Sequence, residues 1–149
     1  MEDEFLRAKK KAMALLMHND RTEYELRSRL KRAGYSESAE DAALEYVMSF
    51  GYVNDTRYAR RYVEFYQEKK SKKQMELDLQ KRGVKPEDIN KAFEEEWEGD
   101  AKALRTALRK RLGQDVDVSS LSYQERQKVA ASLYRKGFMR GEICKELDL

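Results

Sequence analysis

The sequence has very little of what disulfide-bonded, metal-binding or membrane-spanning proteins require. Its 149 residues include one cysteine, one histidine and one proline. One cysteine excludes a disulfide within the chain, and together with one histidine it leaves no Cys/His zinc site. No apolar run approaches the ~18 residues of a membrane span, and the first residues lack a signal-peptide pattern. We therefore expect a soluble, cytoplasmic protein without a metal or cofactor.

An excess of one charge sign is also missing. Lys and Arg number 31 and Asp and Glu 28, so the net charge is only +3, although charged residues make up 40% of the chain. Because the net charge is small, affinity for nucleic acid or for an acidic partner would have to come from local clusters of cations. The balance of charge therefore does not by itself predict a DNA-binding protein.

The sequence contains no pattern typical of an active site. His18 and Cys144 have no partners for a catalytic triad or a metal site, and the acidic run 94–96 lies in a helical pattern. The seven glycines form no phosphate-binding loop. We therefore predict a protein without catalytic activity.

One helix-capping pattern occurs three times along the chain. Each copy opens with Ser or Thr followed three residues later by Glu or Gln, and closes on basic residues, a glycine and a large apolar residue. The openings are Thr22 with Glu25, Ser71 with Gln74 and Ser122 with Glu125, and the closing pairs are Gly34-Tyr35, Gly83-Val84 and Gly137-Phe138. The opening lies 12 residues before its glycine in the first two copies and 15 in the third. The glycines of the first two copies are 49 residues apart, a spacing typical of stacked helical modules.

The repeat predicts three modules of three helices each, at residues 1–51, 52–98 and 99–149. The first helices are expected at 3–18, 54–70 and 100–112, the second are the capped helices, and the third are expected at 38–50, 86–97 and 140–146. Gly51 is predicted to end the first module, with Tyr52 and Val53 anchoring the junction and Asn54 or Asp55 capping the next helix. No segment alternates like a strand, so the predicted fold class is all-α with about nine helices. Residues 113–121 form the one loop long enough to be mobile.

These segments together resemble the RecX family, the regulatory proteins of the bacterial recombinase RecA. The resemblance rests on Ala8 and Ala12, on Arg21-Thr22 with Glu25-Leu26, on Gly34-Tyr35, on FGYVNDTRYAR at 50–60, and on Lys81-Arg82-Gly83. It extends from about residue 8 to residue 147. Its most specific part is GYVNDTRYAR together with the distance from the capped helix that precedes it.

The resemblance implies a fold and a function. The implied fold is three tandem three-helix modules in an elongated, curved molecule. The implied partner is the helical filament that RecA forms on single-stranded DNA, with the regulator bound in the filament groove. The implied activity is inhibition of strand exchange, ATP hydrolysis and repressor cleavage, and hence modulation of recombination, DNA repair and the SOS response. We expect a monomer, and the basic clusters would also allow weak direct binding to DNA.

Basic clusters supply the candidate contact residues. The selected residues are Arg27, Arg29, Arg32, Arg57, Arg60, Arg61, Lys69, Lys70, Lys72, Lys73, Arg109 and Arg111, the last two in a cluster that spans 105–111. A solvated face with local ion pairs is an equally good interpretation of any one cluster, because phosphate contacts need only point charges. The aromatic residues Tyr58, Tyr62, Phe65 and Tyr66 could stack on bases, but their helical spacing favours packing in a core.

Two other functions stay open at this point. Three-helix units with a glycine turn are similar to helix-turn-helix arrangements, so the chain could be a DNA-binding module in its own right. Against this stand the nearly balanced charge and the lack of a helix that combines Asn, Gln and Arg on one exposed face. The other alternative is a helical scaffold with no effect on RecA, since repeat folds often serve that purpose.

Overall fold

The fold is all-α, as the sequence predicts. A computed structural model of the chain describes residues 2–149, and within them it contains nine α-helices and no strand. The helices are α1 Glu2–His18, α2 Glu23–Arg32, α3 Glu37–Ser49, α4 Asp55–Tyr66, α5 Lys72–Lys81, α6 Pro86–Glu96, α7 Ala101–Leu112, α8 Tyr123–Arg135 and α9 Arg140–Leu147. A short 3-10 helix, Val118–Ser120, lies in the loop between α7 and α8.

The repeated capping pattern is confirmed at both ends of α2, α5 and α8. The hydroxyls of Thr22, Ser71 and Ser122 each accept a hydrogen bond from the backbone N–H three residues later, at 3.1 Å in all three cases. At α2 the capping box is complete, because the Glu25 carboxylate also accepts a hydrogen bond from the Thr22 N–H at 3.2 Å. At the other end, the N–H groups of Tyr35, Val84 and Phe138 each donate to the carbonyl five residues earlier. This bond is typical of a Schellman turn closed by a glycine in the left-handed region.

The predicted ends of eight helices agree with the structure or differ by one or two residues, but the predicted end of α4 is wrong. This helix ends at Tyr66 and not at Lys70. The N–H groups of Lys69 and Lys70 both donate to the Tyr66 carbonyl, at 2.9 Å each, and so close the helix in a tight turn. Because the turn occurs there, Ser71 is left outside α4 and is free to cap α5.

The chain divides into two compact units. The first unit holds the chain up to Arg61 together with Leu79–Ala92, and the second holds Tyr62–Asp78 and Phe93–Leu149. The helices α4, α5 and α6 therefore each contribute to both units. The predicted module boundaries at 51 and 98 follow the sequence repeat, and they stay a prediction.

Each unit has its own apolar core. In the first unit, small residues of α1 such as Ala8 and Ala12 are fully buried with Leu26 and Leu30 of α2 and with α3. Alanine at these positions allows close approach of the helices. In the second unit, α7, α8 and α9 bury an analogous set that includes Leu104, Leu133 and Ile143. Burial of side chains of this size stabilises a fold by roughly 1.5–3 kcal/mol each.

Within the first unit, the start of α2 is tied to the end of α5 by a contact that we call the first joint. The Thr22 hydroxyl, which caps α2, also donates to the carbonyl of Arg82 at 2.5 Å. The next residue along α2, Glu23, donates its N–H to the Asp55 carboxylate at 3.0 Å. A Cβ atom on Gly83 would lie 2.2 Å from the Cβ of Tyr24, so only glycine fits there. Burial raises the pKa of Asp55 above its ordinary value of 3.8.

Within the second unit, the second joint repeats this arrangement between the start of α5 and the end of α8. The Ser71 hydroxyl donates to the carbonyl of Lys136 at 2.6 Å, and the Lys72 N–H donates to the Asp100 carboxylate at 2.9 Å. A Cβ atom on Gly137 would lie 2.7 Å from the Ser71 Oγ. Burial again raises the pKa of the carboxylate, here Asp100. The two joints therefore use the same contacts with different side chains.

Candidate interaction surface

Several candidate arginines of the first unit are held by neighbours in the same unit. Arg27 pairs with Asp41 at 2.8 Å and with the buried Glu40 at 3.5 Å, and the hydrogen bond to Asp41 raises the pKa of Arg27. Arg61 pairs with Asp20 at 3.0 Å, and both side chains are 60% exposed. Exposed pairs of this kind contribute little to stability, about 0–1 kcal/mol, but they do reduce the charge available to a partner.

The other first-unit candidates are arranged differently. Arg57 donates to the carbonyl of Gly51 at 2.9 Å, at the start of the segment that leads into α4. Arg60 is exposed on α4. Arg29 and Arg32 are exposed in the last turn of α2, where their positive charge interacts favourably with the negative end of the helix dipole. The structure does not collect these residues around one cavity.

In the second unit, Lys70 lies in a polar network. Its Nζ donates to the Tyr62 hydroxyl and to the Asp78 carboxylate, both at 2.9 Å. Burial and the hydrogen bond with Asp78 raise the pKa of Tyr62 to about 12. Burial also acts to raise the pKa of Asp78, but the bonds from Tyr62, Lys70 and Gln74 outweigh it, so the pKa falls below its ordinary value. Lys70 is thereby fixed in position near the end of α4.

Lys69, Lys72 and Lys73 have separate surroundings. The Nζ of Lys69 lies 4.2 Å from the centre of the Phe65 ring. The Nζ of Lys72 lies 4.6 Å from the Trp97 ring and 4.0 Å from the Glu76 carboxylate, whereas the Lys73 side chain lies against Gly137 at the second joint. Lys72 and Lys73 therefore take part in packing within the second unit.

An open surface lined by seven cations lies in the second unit, and we call it the basic cleft. It consists of two adjoining cavities of about 760 and 210 Å³ that share Thr106 and Lys110. Its cationic lining comes from the turn after α4, from one face of α7 and from the turn after α8. The cations are Lys69, Lys70, Lys102, Arg105, Arg109, Lys110 and Lys136. The structure thus brings together two of the predicted basic clusters.

Few of these cations form ion pairs, although Arg105 and Arg109 also line a neighbouring cavity that contains Asp115, Asp117 and Glu146. Among the residues that the structure describes, Lys102 pairs with Glu68 at 3.2 Å and Lys70 with Asp78, while the other five cations form no ion pair. Arg109 donates to the carbonyl of Gln114 at 2.9 Å, which fixes its guanidinium at the rim without neutralising it. The basic cleft therefore has a positive charge that suits a phosphate backbone or an acidic protein surface.

Four of the cleft cations were not among the selected residues: Arg105 and Lys110 belong to the predicted cluster at 105–111, whereas Lys102 and Lys136 belong to no predicted cluster. Lys102 lies three residues before Arg105 and seven before Arg109, so the helical period could have placed it on the same face of α7. Lys136 reaches the cleft only because α8 ends beside α5, and nothing in the local sequence indicates this. Arg111, which was predicted, is exposed but does not line either cavity.

The aromatic residues of α4 divide between core and surface. Tyr62 is 5% exposed, which agrees with the expected core role. Phe65 is 61% exposed, so the same expectation is wrong for this residue. The Nζ of Lys69, from the turn after α4, covers one face of the Phe65 ring. An aromatic ring beside a basic groove is the combination found in proteins that bind single-stranded nucleic acid.

Among the residues that the structure describes, no helix is both long and apolar enough to cross a membrane. No group of three or more His, Cys, Asp or Glu side chains between residues 2 and 149 is arranged to hold a metal ion.

Comparison with known proteins gives consistent matches over the chain. Residues 8–46 match the family model of the first three-helix domain of RecX, and residues 54–92 match that of the second. A regulatory protein RecX of Caldanaerobacter subterraneus subsp. tengcongensis is 34% identical over 145 residues, which cover 95% of this chain and 70% of the relative. One of Clostridium acetobutylicum is 24% identical and covers 98% of this chain and 71% of the relative.

Solved structures support the fold. The crystal structure of RecX from Lactobacillus salivarius has a TM-score of 0.79 and 23% identity, with 99% of both chains covered. A second crystal structure of regulatory protein RecX has a TM-score of 0.82 and 22% identity, and covers 99% of this chain and 75% of the other.

Proposed function

The chain belongs to the RecX family, and from that membership we propose that it regulates the RecA recombinase by binding the filament that RecA forms on single-stranded DNA. In this proposal it has no catalytic activity of its own. It binds in the filament groove and inhibits ATP hydrolysis, strand exchange and repressor cleavage. We propose also that residues 1–51, 52–98 and 99–149 are three modules of the family fold, with the two family-model matches inside the first two.

The basic cleft is the observation that connects this proposal with particular residues. Five of its seven cations form no ion pair in the described chain, so their charge is available to a partner. A RecA filament on DNA offers phosphates and protein carboxylates. A regulator shifts such a filament between active and inactive states only by binding one state more tightly than the other. Contacts from the cleft would supply this difference.

The arginines of the first unit are a second, weaker set for the same role. Arg61 is paired with Asp20, and Arg27 is paired with Asp41 and Glu40. We therefore expect Arg60 and Arg61 to contribute less to filament binding than Arg105 and Lys110. This ordering can be tested with charge reversals of equal size.

The test is the rate of DNA-dependent ATP hydrolysis by preformed RecA filaments as the protein is added at rising ratios. The unmodified protein should lower the rate in proportion to its amount. Arg105→Glu with Lys110→Glu should abolish most of the inhibition, and Arg60→Glu with Arg61→Glu should reduce it less. Lys128→Glu with Lys145→Glu is the matched control, because both lysines are exposed in the second unit and line neither cavity.

Each result of this test has a definite meaning. If the cleft variant is folded, as verified by circular dichroism, and still inhibits as strongly as the unmodified protein, the cleft is excluded as the contact surface. No inhibition by the unmodified protein at saturation would contradict the regulator proposal itself. Inhibition well below one molecule per RecA protomer would favour capping or disassembly of filaments over coverage of the groove.

The cleft also favours weak direct binding to DNA as a second function. The seven cations of the cleft, one of which contacts the exposed Phe65, could hold a strand in the absence of RecA. Affinity that depends on cations falls steeply with salt, because phosphate binding releases counterions. A labelled oligonucleotide titrated at about 50 and 200 mM salt measures this, and binding unaffected by salt would exclude a charge-based interaction.

A further inference from the structure

A cluster of exposed aromatic rings lies where α3 ends in the first unit, and we call it the aromatic platform. Its members are Tyr46, Phe50 and Tyr52, which are 38%, 58% and 47% exposed. The rings of Phe50 and Tyr52 stack with centres 5.6 Å apart and planes inclined by 20°. Tyr46 meets Phe50 edge to face at 5.1 Å. None of the three lines the basic cleft.

The platform is not needed to fill a core. The sequence predicts that Tyr52 and Val53 both anchor this junction, but only Val53 does so, at 5% exposed and within the first-unit core. The prediction for Tyr52 is wrong because the turn at Gly51 directs the chain so that the next residue stays at the surface. Three large exposed rings in contact with one another are an unusual use of surface, since aromatic side chains prefer burial.

Two cations flank the platform. The Nζ of Lys9 lies 5.2 Å from the centre of the Tyr46 ring. The guanidinium of Arg57 donates to the carbonyl of Gly51, which lies between Phe50 and Tyr52 in the sequence. Neither cation forms an ion pair within the described chain, so both can meet the charge of a ligand. The ligand that this arrangement fits is therefore planar, apolar on its faces and attached to negative charge.

We propose that the aromatic platform is a stacking site for unpaired bases of single-stranded nucleic acid, with Lys9 and Arg57 contacting the adjacent phosphates. Every base has a flat face that can lie on an exposed ring, whereas bases in a duplex are stacked on each other. Cations beside the rings suit the phosphates of a strand better than they suit an apolar protein partner. The site goes beyond the regulator function, because it does not require RecA.

The test separates bases from phosphates by using two labelled oligonucleotides of equal length. One carries thymine at each position, and the other is abasic, so both have the same phosphate charge. Fluorescence anisotropy should show that the unmodified protein binds the thymine strand between about 5-fold and 100-fold more tightly, as expected for one stacked base. Phe50→Ala with Tyr52→Ala should remove this preference and leave binding to the abasic strand unchanged.

Two further variants keep the test informative if the double variant is destabilised. Phe50→Trp retains a flat ring and should preserve or increase the preference for thymine. Tyr123→Ala removes a ring that is 67% exposed in the second unit and should have no effect on the preference. Lys9→Gln should weaken binding of both strands by the same factor, because in this proposal the Lys9 side chain contacts phosphate and not a base.

Three outcomes would overturn the proposal. The first is equal affinity of the unmodified protein for thymine and abasic strands. The second is a preference that survives in the folded Phe50→Ala with Tyr52→Ala variant, which would place stacking elsewhere. The third is loss of RecA inhibition in that variant with the preference intact, which would assign the platform to a protein contact. Because the oligonucleotide assay omits RecA, its failure leaves the regulator proposal untouched.

Discussion

The two compact units contain the same joint but expose different surfaces. In the first, Thr22 binds the carbonyl of Arg82, and in the second, Ser71 binds that of Lys136. Each joint also pairs a helix N–H with an aspartate, half-buried Asp55 in the first and buried Asp100 in the second. Each has a glycine whose Cβ position is occupied by a neighbouring side chain. Outside the joints, the first unit carries paired arginines and the aromatic platform, and the second carries the basic cleft.

This comparison separates the residues that make the fold from those that serve a partner. The joint needs a small hydroxyl, a carboxylate and a glycine, and different neighbours supply them in each unit. The surface has no such constraint, since arginines of the first unit are neutralised by Asp41 and Asp20 while most cations of the cleft are not. We therefore expect joint variants to lower stability and surface variants to lower binding.

The largest effect on stability is expected from alanine at the joint glycines. Gly83→Ala would place a Cβ 2.2 Å from the Cβ of Tyr24, at a φ of +80° that alanine disfavours. Backbone strain and overpacking together should lower the free energy of unfolding by about 2–5 kcal/mol. Gly137→Ala should cost less, because its nearest neighbour would be the Ser71 hydroxyl at 2.7 Å. Urea denaturation measures both.

Gly34→Ala is the matched control for this prediction. Gly34 has a φ of +95° and ends α2 in the same way, but no atom lies within 4 Å of where its Cβ would be. Only the cost of placing alanine in the left-handed backbone conformation should remain, and it should lower the free energy of unfolding by about 1–2 kcal/mol. Equal destabilisation by all three variants would contradict the close approach at the joints.

A smaller effect is expected from removal of the joint hydroxyls. Thr22→Ala and Ser71→Ala each lose a helix cap and the bond to a carbonyl on another helix, so each should lower the free energy of unfolding by about 2–3 kcal/mol. Ser122→Ala loses only the cap of α8 and should cost about 1 kcal/mol. Chemical denaturation of the three variants compares them directly, and a cost at Ser122 equal to the others would exclude a contribution from the joint bonds.

The smallest effect is a pH dependence of opposite sign for two aspartates of the second unit. Burial raises the pKa of Asp100, so the folded state binds its proton more tightly than the unfolded state, and its ionisation lowers stability as pH rises through the raised pKa. The pKa of Asp78 is lowered, so the stabilisation it gives above the ordinary value of 3.8 is lost as pH falls through the lowered pKa.

Each aspartate is tested against its asparagine variant by denaturation between pH 3 and 7. On acidification from neutral pH, the unmodified protein should gain stability relative to Asp100→Asn. Relative to Asp78→Asn it should lose stability, mainly below pH 4. If stability changes in the same direction relative to both variants, burial does not raise the pKa of Asp100 in the folded protein.

Local sequence patterns predicted most of the fold. The capping residues and glycines fix where α2, α5 and α8 begin and end, because their bonds involve residues at most five positions apart. The sequence does not predict the early end of α4, because no residue near Tyr66 indicates that its carbonyl accepts hydrogen bonds from two N–H groups. The family was recognised from residues 50–60 together with the repeat, and the comparisons confirm it.

The candidate surface was less predictable than the fold. The cluster at 105–111 and the cluster at 69–73 were both identified, but whether they meet depends on tertiary packing, and Lys136 joins them only through the end of α8. Exposure of Phe65 and Tyr52 was missed for the same reason, since helical spacing cannot distinguish a ring at the edge of a core from one inside it. The predicted contact residues stay a prediction until binding is measured.

The central claim, that the basic cleft carries the interaction with the RecA filament, is tested most directly by binding itself. Cosedimentation of the protein with preformed filaments on single-stranded DNA gives the apparent Kd of the unmodified protein, of Arg105→Glu with Lys110→Glu, and of the control Lys128→Glu with Lys145→Glu. The account predicts at least tenfold weaker binding for the cleft variant alone. Equal binding by all three proteins would contradict it.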